Sequence, residues 1–233
     1  INTLLSGKYF LFFDSLYWKI FSKKQAYIRK YFLTLHHNAF IMENILPIHL
    51  QEIIFGSSES KVSKLISKLL KEGKIRKIAP RIYSSNFTEP VEEIVSRNLF
   101  QILGKLYPGA ILSHRSAFEF KPTKAGHIFL TYTYTKKVTL AGITLRFLEG
   151  HKPIEGDNPI SGELYASQKP RAFLENLQLS KNTGPTSKCL TLPEIEEKLE
   201  QIIRVNGEEE INKVRDSAKA IASKLKMEKE FKR

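Results

Sequence analysis

One amphipathic segment constrains the fold of this 233-residue chain more than any other feature. From Glu59 to Glu72, apolar residues recur at the helical spacing i, i+3, i+4, i+7, i+8, namely Val62, Leu65, Ile66, Leu69 and Leu70. That period predicts a helix with one apolar stripe, which needs another surface to pack against. The preceding SSES offers several N-cap residues, and Gly73 predicts a left-handed C-cap.

The opposite side of this predicted helix is basic and hydroxyl-rich. It carries four lysines and three serines: Lys61, Lys64, Lys68, Lys71, Ser60, Ser63 and Ser67. Two short β-like runs follow at residues 74–78 and 81–84, and they add Lys74, Arg76, Lys77 and Arg81. A helix followed by a small basic hairpin is the order of a winged helix-turn-helix, in which the second helix enters the major groove.

Residues 42–88 as a whole are predicted to form this winged helix-turn-helix. Its first helix is expected to begin near Pro47 and to end at Gly56, with Ile45, Leu46, Leu50, Ile53 and Ile54 as its apolar residues. The recognition helix would then be residues 59–72, and the wing would be residues 74–83.

Charge supports a polyanionic partner at the same place. The formal net charge is +13, and between Gly56 and Ser85 eight bases stand against two acids. Lysine and arginine contact phosphates and set the register on DNA, whereas short hydroxyls reach base edges. The alternative is an ordinary amphipathic helix with a solvated lysine face. The adjacent basic hairpin, and the expectation that no acid satisfies the four lysines locally, favour double-stranded DNA as the partner.

Residues 1–41 differ in composition from the rest of the chain. They hold 11 of the chain's aromatic residues, one acid and no Glu, and Asp14 and Lys19 interrupt their apolar run. Neither a transmembrane helix nor a secretory signal fits that pattern. We interpret the segment as translated AT-rich sequence upstream of a start at Met42. An amphipathic membrane-surface helix at residues 9–32 is the alternative.

Residues 89–180 are predicted to form a small α+β domain. A helix is expected to start at residues 88–90 and to end at Pro108-Gly109. Its core stripe would be Val91, Ile94, Val95, Leu99, Ile102, Leu103 and Leu106. Residues 128–135 alternate at period two, and residues 138–148 predict a hairpin around Ala141-Gly142. His127 is interpreted as a hydrogen-bonded edge histidine, and His114 with Arg115 as a brace at a helix start, with phosphate binding as the alternative.

Residues 181–233 are predicted to be a helical pair. Thr191 and Glu194 form a capping box ahead of a stripe of Ile195, Leu199, Ile202 and Ile203. Asn206 is expected to cap a second helix, whose apolar face carries Ile211, Val214, Ala218, Ile221 and Leu225. The complete prediction is an α+β protein: a winged helix-turn-helix, a small α+β domain and a C-terminal helical pair.

No catalytic, metal or cofactor site is predicted. The single Cys189 excludes an internal disulfide and a cysteine-cluster metal site, and it fits a reducing, cytoplasmic setting. The sequence holds neither a phosphate-binding G-x-x-x-x-G-K-[ST] loop nor a G-x-S-x-G elbow. HKPIEGDNP at residues 151–159 lacks the glycine nest and arginine of the Fic catalytic motif. We interpret it as a loop after the hairpin.

The stretch ILPIHLQEIIFGSSESKVSKLISKLLKEGKIRKIAPRIYSS resembles the N-terminal winged helix of AbiEi-type antitoxins. The shared pattern is a Ser-led helix, a strand and a wing that closes in Arg-x-Tyr, although Pro80-Arg81 stands where a glycine is usual. ILSHRSAFEF resembles the segment that opens the second domain of those proteins. From Met42 onward the chain resembles the N-terminal region of bacterial Fic/DOC-family proteins, ahead of their catalytic Fic domain.

The resemblance implies a cytoplasmic DNA-binding transcriptional regulator of a toxin–antitoxin system. Its partners would be double-stranded DNA and either a cognate toxin or a Fic catalytic domain. No membrane partner is expected. Two alternatives stay open: the chain is the regulatory fragment of a Fic adenylyltransferase whose catalytic half is missing, or it is a protein-interaction module. A downstream reading frame encoding the Fic motif would favour the first of these.

Overall fold

The computed structural model describes residues 48–182 and 184–233, and it is a mixed α+β structure with two sheets. The predicted leader and the first two apolar residues of the predicted first helix, Ile45 and Leu46, lie outside the described residues. The chain divides into two compact units, which we call unit 1 (Ile1–Asn86) and unit 2 (Phe87–Arg233). Each unit is described by itself below.

Unit 1 combines one α-helix with a three-stranded sheet in its described part. A 3-10 helix at Ile48–Leu50 precedes the remaining elements, which are β1 (Ile54–Phe55), α1 (Ser60–Lys71), β2 (Arg76–Ala79) and β3 (Ile82–Ser84). The strands are antiparallel and lie in the order β1-β3-β2. The helix and hairpin predicted for residues 59–84 are therefore confirmed as elements.

The helix predicted to end at Gly56 is wrong over its described residues. After the 3-10 turn the chain becomes extended, and Ile54 and Phe55 pair with Tyr83 and Ile82 of β3. A strand buries Ile54 in the sheet core, a pairing that helical spacing alone does not reveal. Among the described residues a single α-helix lies between β1 and β2, so the structure establishes the helix and the sheet but not a helix-turn-helix.

The end of α1 follows its predicted chemistry closely. Glu72 is the C-cap, and Gly73 adopts a left-handed φ of +67°. The Gly73 amide donates to the Leu70 carbonyl (3.2 Å) and the Lys74 amide to the Leu69 carbonyl (2.9 Å). These two bonds form a Schellman motif and satisfy carbonyls that the last helical turn leaves without partners.

Only the centre of the predicted apolar stripe is buried. Ile66 and Leu69 pack with Ile54 and Ile75, and Val62 lies partly buried against them. Leu65 and Leu70 are 42% and 36% exposed. At 3.6 residues per turn these two side chains lie at opposite margins of the stripe. The small sheet of unit 1 therefore covers the middle of the helix face and leaves its margins open.

Unit 2 begins with two short helices, α2 (Val91–Arg97) and α3 (Leu99–Leu106). A single helix was predicted here, and the correction is a break at Asn98, whose side-chain amide donates to the Ile94 carbonyl at 2.8 Å. Asparagine side chains compete in this way with the helical backbone pattern. The core stripe survives the break, because these residues are buried: Ile94, Val95, Leu99, Ile102 and Leu103.

A six-stranded mixed sheet forms the middle of unit 2. Its strands are β4 (Ile111–Leu112), β5 (His127–Tyr132), β6 (Lys136–Leu140), β7 (Ile143–Glu149), β8 (Asn158–Ser161) and β9 (Leu164–Ala166), in the order β6-β7-β5-β4-β9-β8. The hairpin predicted around Ala141-Gly142 is confirmed, with Leu140 opposite Ile143. The prediction of a hydrogen-bonded edge histidine at His127 is wrong on both counts. Strand β5 lies between β7 and β4, and the buried Nδ1 of His127 has no hydrogen-bond partner among the described residues.

Helices α4 (Ser116–Glu119) and α5 (Lys169–Asn176) connect this sheet to three C-terminal helices, α6 (Leu192–Asn206), α7 (Glu208–Leu225) and α8 (Glu228–Phe231). Phe173 and Leu174 of α5 each enter an apolar cluster with C-terminal residues. Residues 181–233 therefore share cores with the residues before them.

The predicted capping of the C-terminal helices is half right. The capping box of Thr191 and Glu194 is present at the start of α6. The cap of α7 is Gly207, with a φ of +84°, and not Asn206, which is the last residue of α6. Ile203 is 41% exposed and leaves the predicted buried stripe. A positive φ between two helices suits glycine better than asparagine.

Candidate nucleic-acid interface

The basic side of α1 is exposed along its whole length. All seven of its predicted DNA-binding residues are exposed: Ser60, Lys61, Ser63, Lys64, Ser67, Lys68 and Lys71. The four lysines follow the spacing i, i+3, i+7, i+10, which places them in one strip along the helix. The apolar contacts of Ile66 and Leu69 orient that strip away from the core of unit 1.

Glu72 neutralises part of this strip, contrary to the expectation that no acid would lie near the lysines. Its carboxylate lies 3.7 Å from Lys68 Nζ and 2.9 Å from Lys74 Nζ. The hydrogen bond from Lys74 lowers the pKa of Glu72, and the charges of Lys74 and Lys68 act in the same direction. Glu72 therefore stays ionised at neutral pH.

Three lysines remain without such compensation. Lys61, Lys64 and Lys71 form no ion pair with any residue that the structure describes. Exposed lysines of this kind cost little when free, because water solvates the ammonium group. They are available to a phosphate without first breaking an internal salt bridge.

The serines of α1 differ in what they offer. Ser67 Oγ donates to the Ser63 carbonyl at 2.9 Å, so its proton is used inside the helix. Ser60 and Ser63 lie at the first turn, where hydroxyls are best placed to reach a base edge in the major groove. Ser57 Oγ accepts from the Glu59 amide at 3.0 Å and supports the turn before the helix.

The cations of the β2–β3 hairpin differ in their exposure to solvent. Lys77 is exposed on β2, whereas Arg76 is half-buried and lies opposite the buried Ser84. Lys74, between helix and hairpin, is held by Glu72. Lys77 is therefore the β2 cation that is most open to a ligand.

Arg81 at the hairpin turn is anchored to the neighbouring strand. Its Nη2 donates to the Gly56 carbonyl at 3.3 Å, and the Gly56 amide donates to the Arg81 carbonyl at 2.7 Å. The backbone of Arg81 has a φ of +62°. A Cβ on Gly56 would lie 3.2 Å from Arg81 Cβ, so a side chain at this position would require the Arg81 turn to shift by a few tenths of an ångström. The turn is held against β1 and leaves the guanidinium at the surface.

His114 and Arg115 of unit 2 have the bracing role that was preferred for them. Arg115 Nη2 lies 2.9 Å from Glu119 and 3.4 Å from Glu194, and Nη1 donates to the Gly184 carbonyl. Burial, and then the charge of Lys188, lowers the pKa of His114 to about 3, so its imidazole is neutral at pH 7. Its ring nitrogens contact Ser113 and Gln178.

A buried ionic cluster in unit 2 is the main polar feature that sequence reasoning missed. Arg171 is 1% exposed and lies 2.6 Å from Asp157 and 2.8 Å from Glu175. Its remaining donors reach the carbonyls of His151 and Lys152, which fixes the loop interpreted from HKPIEGDNP. Glu175 also accepts from Ser167 and from the His114 amide. Arg171 and Glu175 at i, i+4 were the available signal.

Comparison with known proteins identifies no relative of this chain. Comparisons with protein-family models, with curated proteins and with solved structures gave no match. In the described part of the chain, none of the helices is long and apolar enough to cross a membrane. The same residues contain no group of three or more His, Cys, Asp or Glu side chains arranged to hold a metal ion.

Proposed function

We propose that this chain is a duplex-DNA-binding regulator of the AbiEi-antitoxin kind, with α1 as its recognition helix and the β2–β3 hairpin as its wing. One observation carries the proposal: Lys61, Lys64 and Lys71 stand exposed along one strip of α1 without an ionic partner among the described residues. A polyanion would supply the missing partner charge. In this proposal the chain acts in the cytoplasm by binding and not by catalysis.

The contacts divide by chemistry. Lys61, Lys64 and Lys71, with Lys77 and Arg81 of the hairpin, would contact phosphates and fix the register. Ser60 and Ser63 would approach base edges from the first turn of α1. Unit 2 would serve a protein partner such as a cognate toxin, as the resemblance implies.

Fluorescence anisotropy with a labelled duplex, titrated at several salt concentrations, tests the proposal. About five phosphate contacts from unit 1 would contribute about −4.5 to the slope of log K against log salt. Replacing Lys61, Lys64 and Lys71 together by alanine should make the slope less steep by about 2.7. A flat slope for the original protein, or an unchanged slope for the triple variant, would count against DNA binding through α1.

A further inference from the structure

One edge of the sheet in unit 2 places two like charges side by side. Lys137 of β6 and Arg146 of β7 are direct partners in the antiparallel register. Side chains at such positions share a face with Cβ atoms about 5 Å apart, where like charges are unfavourable. Lys137 is exposed and Arg146 half-buried, and neither side chain forms a hydrogen bond or ion pair with another described residue.

The face around this pair carries no acid from its two strands. Strand β7 buries Ile143, Leu145 and Phe147 on one side, which leaves Thr144, Arg146 and the partly buried Leu148 on the other. Thr139 pairs with Thr144, so two hydroxyls share the face with the two cations. Glu149 is the one acid in these strands, and its position in the alternation assigns it to the opposite face.

The charges of Lys137 and Arg146 also act on His127 of the neighbouring strand β5. His127 lies opposite Thr144 on β7, and the buried Phe129 of β5 lies opposite Arg146. Burial lowers the pKa of His127, and the charges of Arg146 and then Lys137 lower it further. Both cations therefore act on the β5 side of the face, and His127 is held neutral beside them at pH 7.

We propose that this face, defined as Lys137, Thr139, Thr144 and Arg146, binds the phosphate groups of a duplex DNA backbone. A guanidinium matches phosphate with two parallel hydrogen bonds, and an ammonium adds a point charge. Threonine hydroxyls donate to phosphate oxygens without reading sequence. A bound anion would also relieve the repulsion between the paired cations. The inference rests on the proposed function and adds a backbone contact in unit 2.

The test is the salt-dependent anisotropy titration of the full chain carrying Lys137→Gln and Arg146→Gln. With these two contacts added to the five of unit 1, the original protein should show a slope of about −6.3. Their loss should return the slope to about −4.5 and should weaken binding ~30-fold at 0.15 M salt. The Tm of this variant should be unchanged or higher, because a like-charge pair has been removed. The exposed Lys137→Gln variant alone should reduce the slope by about 0.9.

A matched control removes two exposed lysines from α7, through Lys219→Gln and Lys224→Gln. This control should bind almost as the original protein does. If both double variants weaken binding equally, net charge explains the loss and the inference is overturned. An unchanged slope for the Lys137/Arg146 variant overturns the inference alone, whereas absence of salt-dependent binding by the original protein overturns both it and the proposed function. Binding of an acidic protein by this face, with DNA binding unaltered in the variant, would assign the surface to a different partner.

Discussion

At the scale of single residues, the buried guanidinium of Arg171 is needed because two carboxylates, Asp157 and Glu175, are buried beside it. Both Asp157 and Glu175 are less than a tenth exposed, and the Arg171 guanidinium touches each of them. Burial raises the pKa of Glu175, against the opposing charge of Arg171. The Arg171–Glu175 ion pair therefore contributes less net stability than its short distance suggests. Removing either side chain would nevertheless leave the other charge buried without compensation.

Replacing Arg171 by methionine should lower the free energy of unfolding by about 3–5 kcal/mol, because two carboxylates would stay buried without a counter-charge. Urea unfolding followed by circular dichroism measures the change. Arg215→Met is the matched control: that arginine lies 63% exposed at 3.5 Å from Asp216, and an exposed pair contributes about 0–1 kcal/mol. Equal losses in the two variants would show that the buried cluster has no special role.

His114 makes stability depend on pH in a defined direction. Its folded pKa of about 3 lies below its ordinary value of 6.5, so the unfolded chain takes up a proton first as the pH falls. Stability is therefore lost below about pH 6.5, at up to about 1.4 kcal/mol per pH unit. Glu175 acts in the opposite sense, because its pKa is raised.

The His114→Asn variant isolates the histidine contribution, and asparagine tolerates the φ of +54° found there. Between pH 7 and pH 5 the original protein should lose about 2 kcal/mol more than this variant. Urea unfolding at both values measures the difference. The same pH dependence in both proteins would mean that His114 is not the group responsible.

At the scale of elements, sequence alone predicted α1 and the β2–β3 hairpin because their signals are local. Helical periodicity, a glycine C-cap and a two-residue turn all act within a few residues. The strand β1 was missed because it depends on pairing with Tyr83 and Ile82, almost thirty residues away. Asn98 and Gly207 show a similar limit, since whether a side chain or a glycine ends a helix depends on the packing of the helices it joins.

The candidate interface was predicted in composition but not in its internal pairing. The positions of the lysines on α1 follow from period alone. That Glu72 reaches both Lys68 and Lys74, and that Ser67 turns back to Ser63, depends on rotamers that sequence does not determine. These contacts change which residues are free for a ligand.

Glu72→Gln should strengthen duplex binding. The change keeps the shape of the side chain but releases Lys68 and Lys74 from their salt bridges, and it removes a negative charge beside the proposed phosphate contacts. The slope of log K against log salt should become steeper by about 1–2. Glu228→Gln on α8 changes the net charge equally in unit 2 and should have little effect. Weaker or equal binding by the Glu72 variant would contradict the assigned role of the α1 strip.

At the scale of the whole molecule, two local surfaces of the described residues bring together cations that are proposed to bind a polyanion. Unit 1 carries the lysine strip of α1 with the hairpin cations, and unit 2 carries the Lys137–Arg146 face. The buried cations of unit 2 differ, since Arg115 and Arg171 form ion pairs with carboxylates. Burial and pairing thus separate structural cations from those available to a polyanion.

Backbone amide chemical shifts, recorded by NMR while a short duplex is added, test the central claim most directly. We predict that the largest shift changes fall on α1, with further changes at the β2–β3 turn around Arg81. They should disappear as salt is raised from 50 to about 500 mM, because counterion release drives the contact. Saturable duplex binding that leaves the amides of Ser60–Lys71 unshifted would contradict the assignment of α1 as the DNA-binding helix.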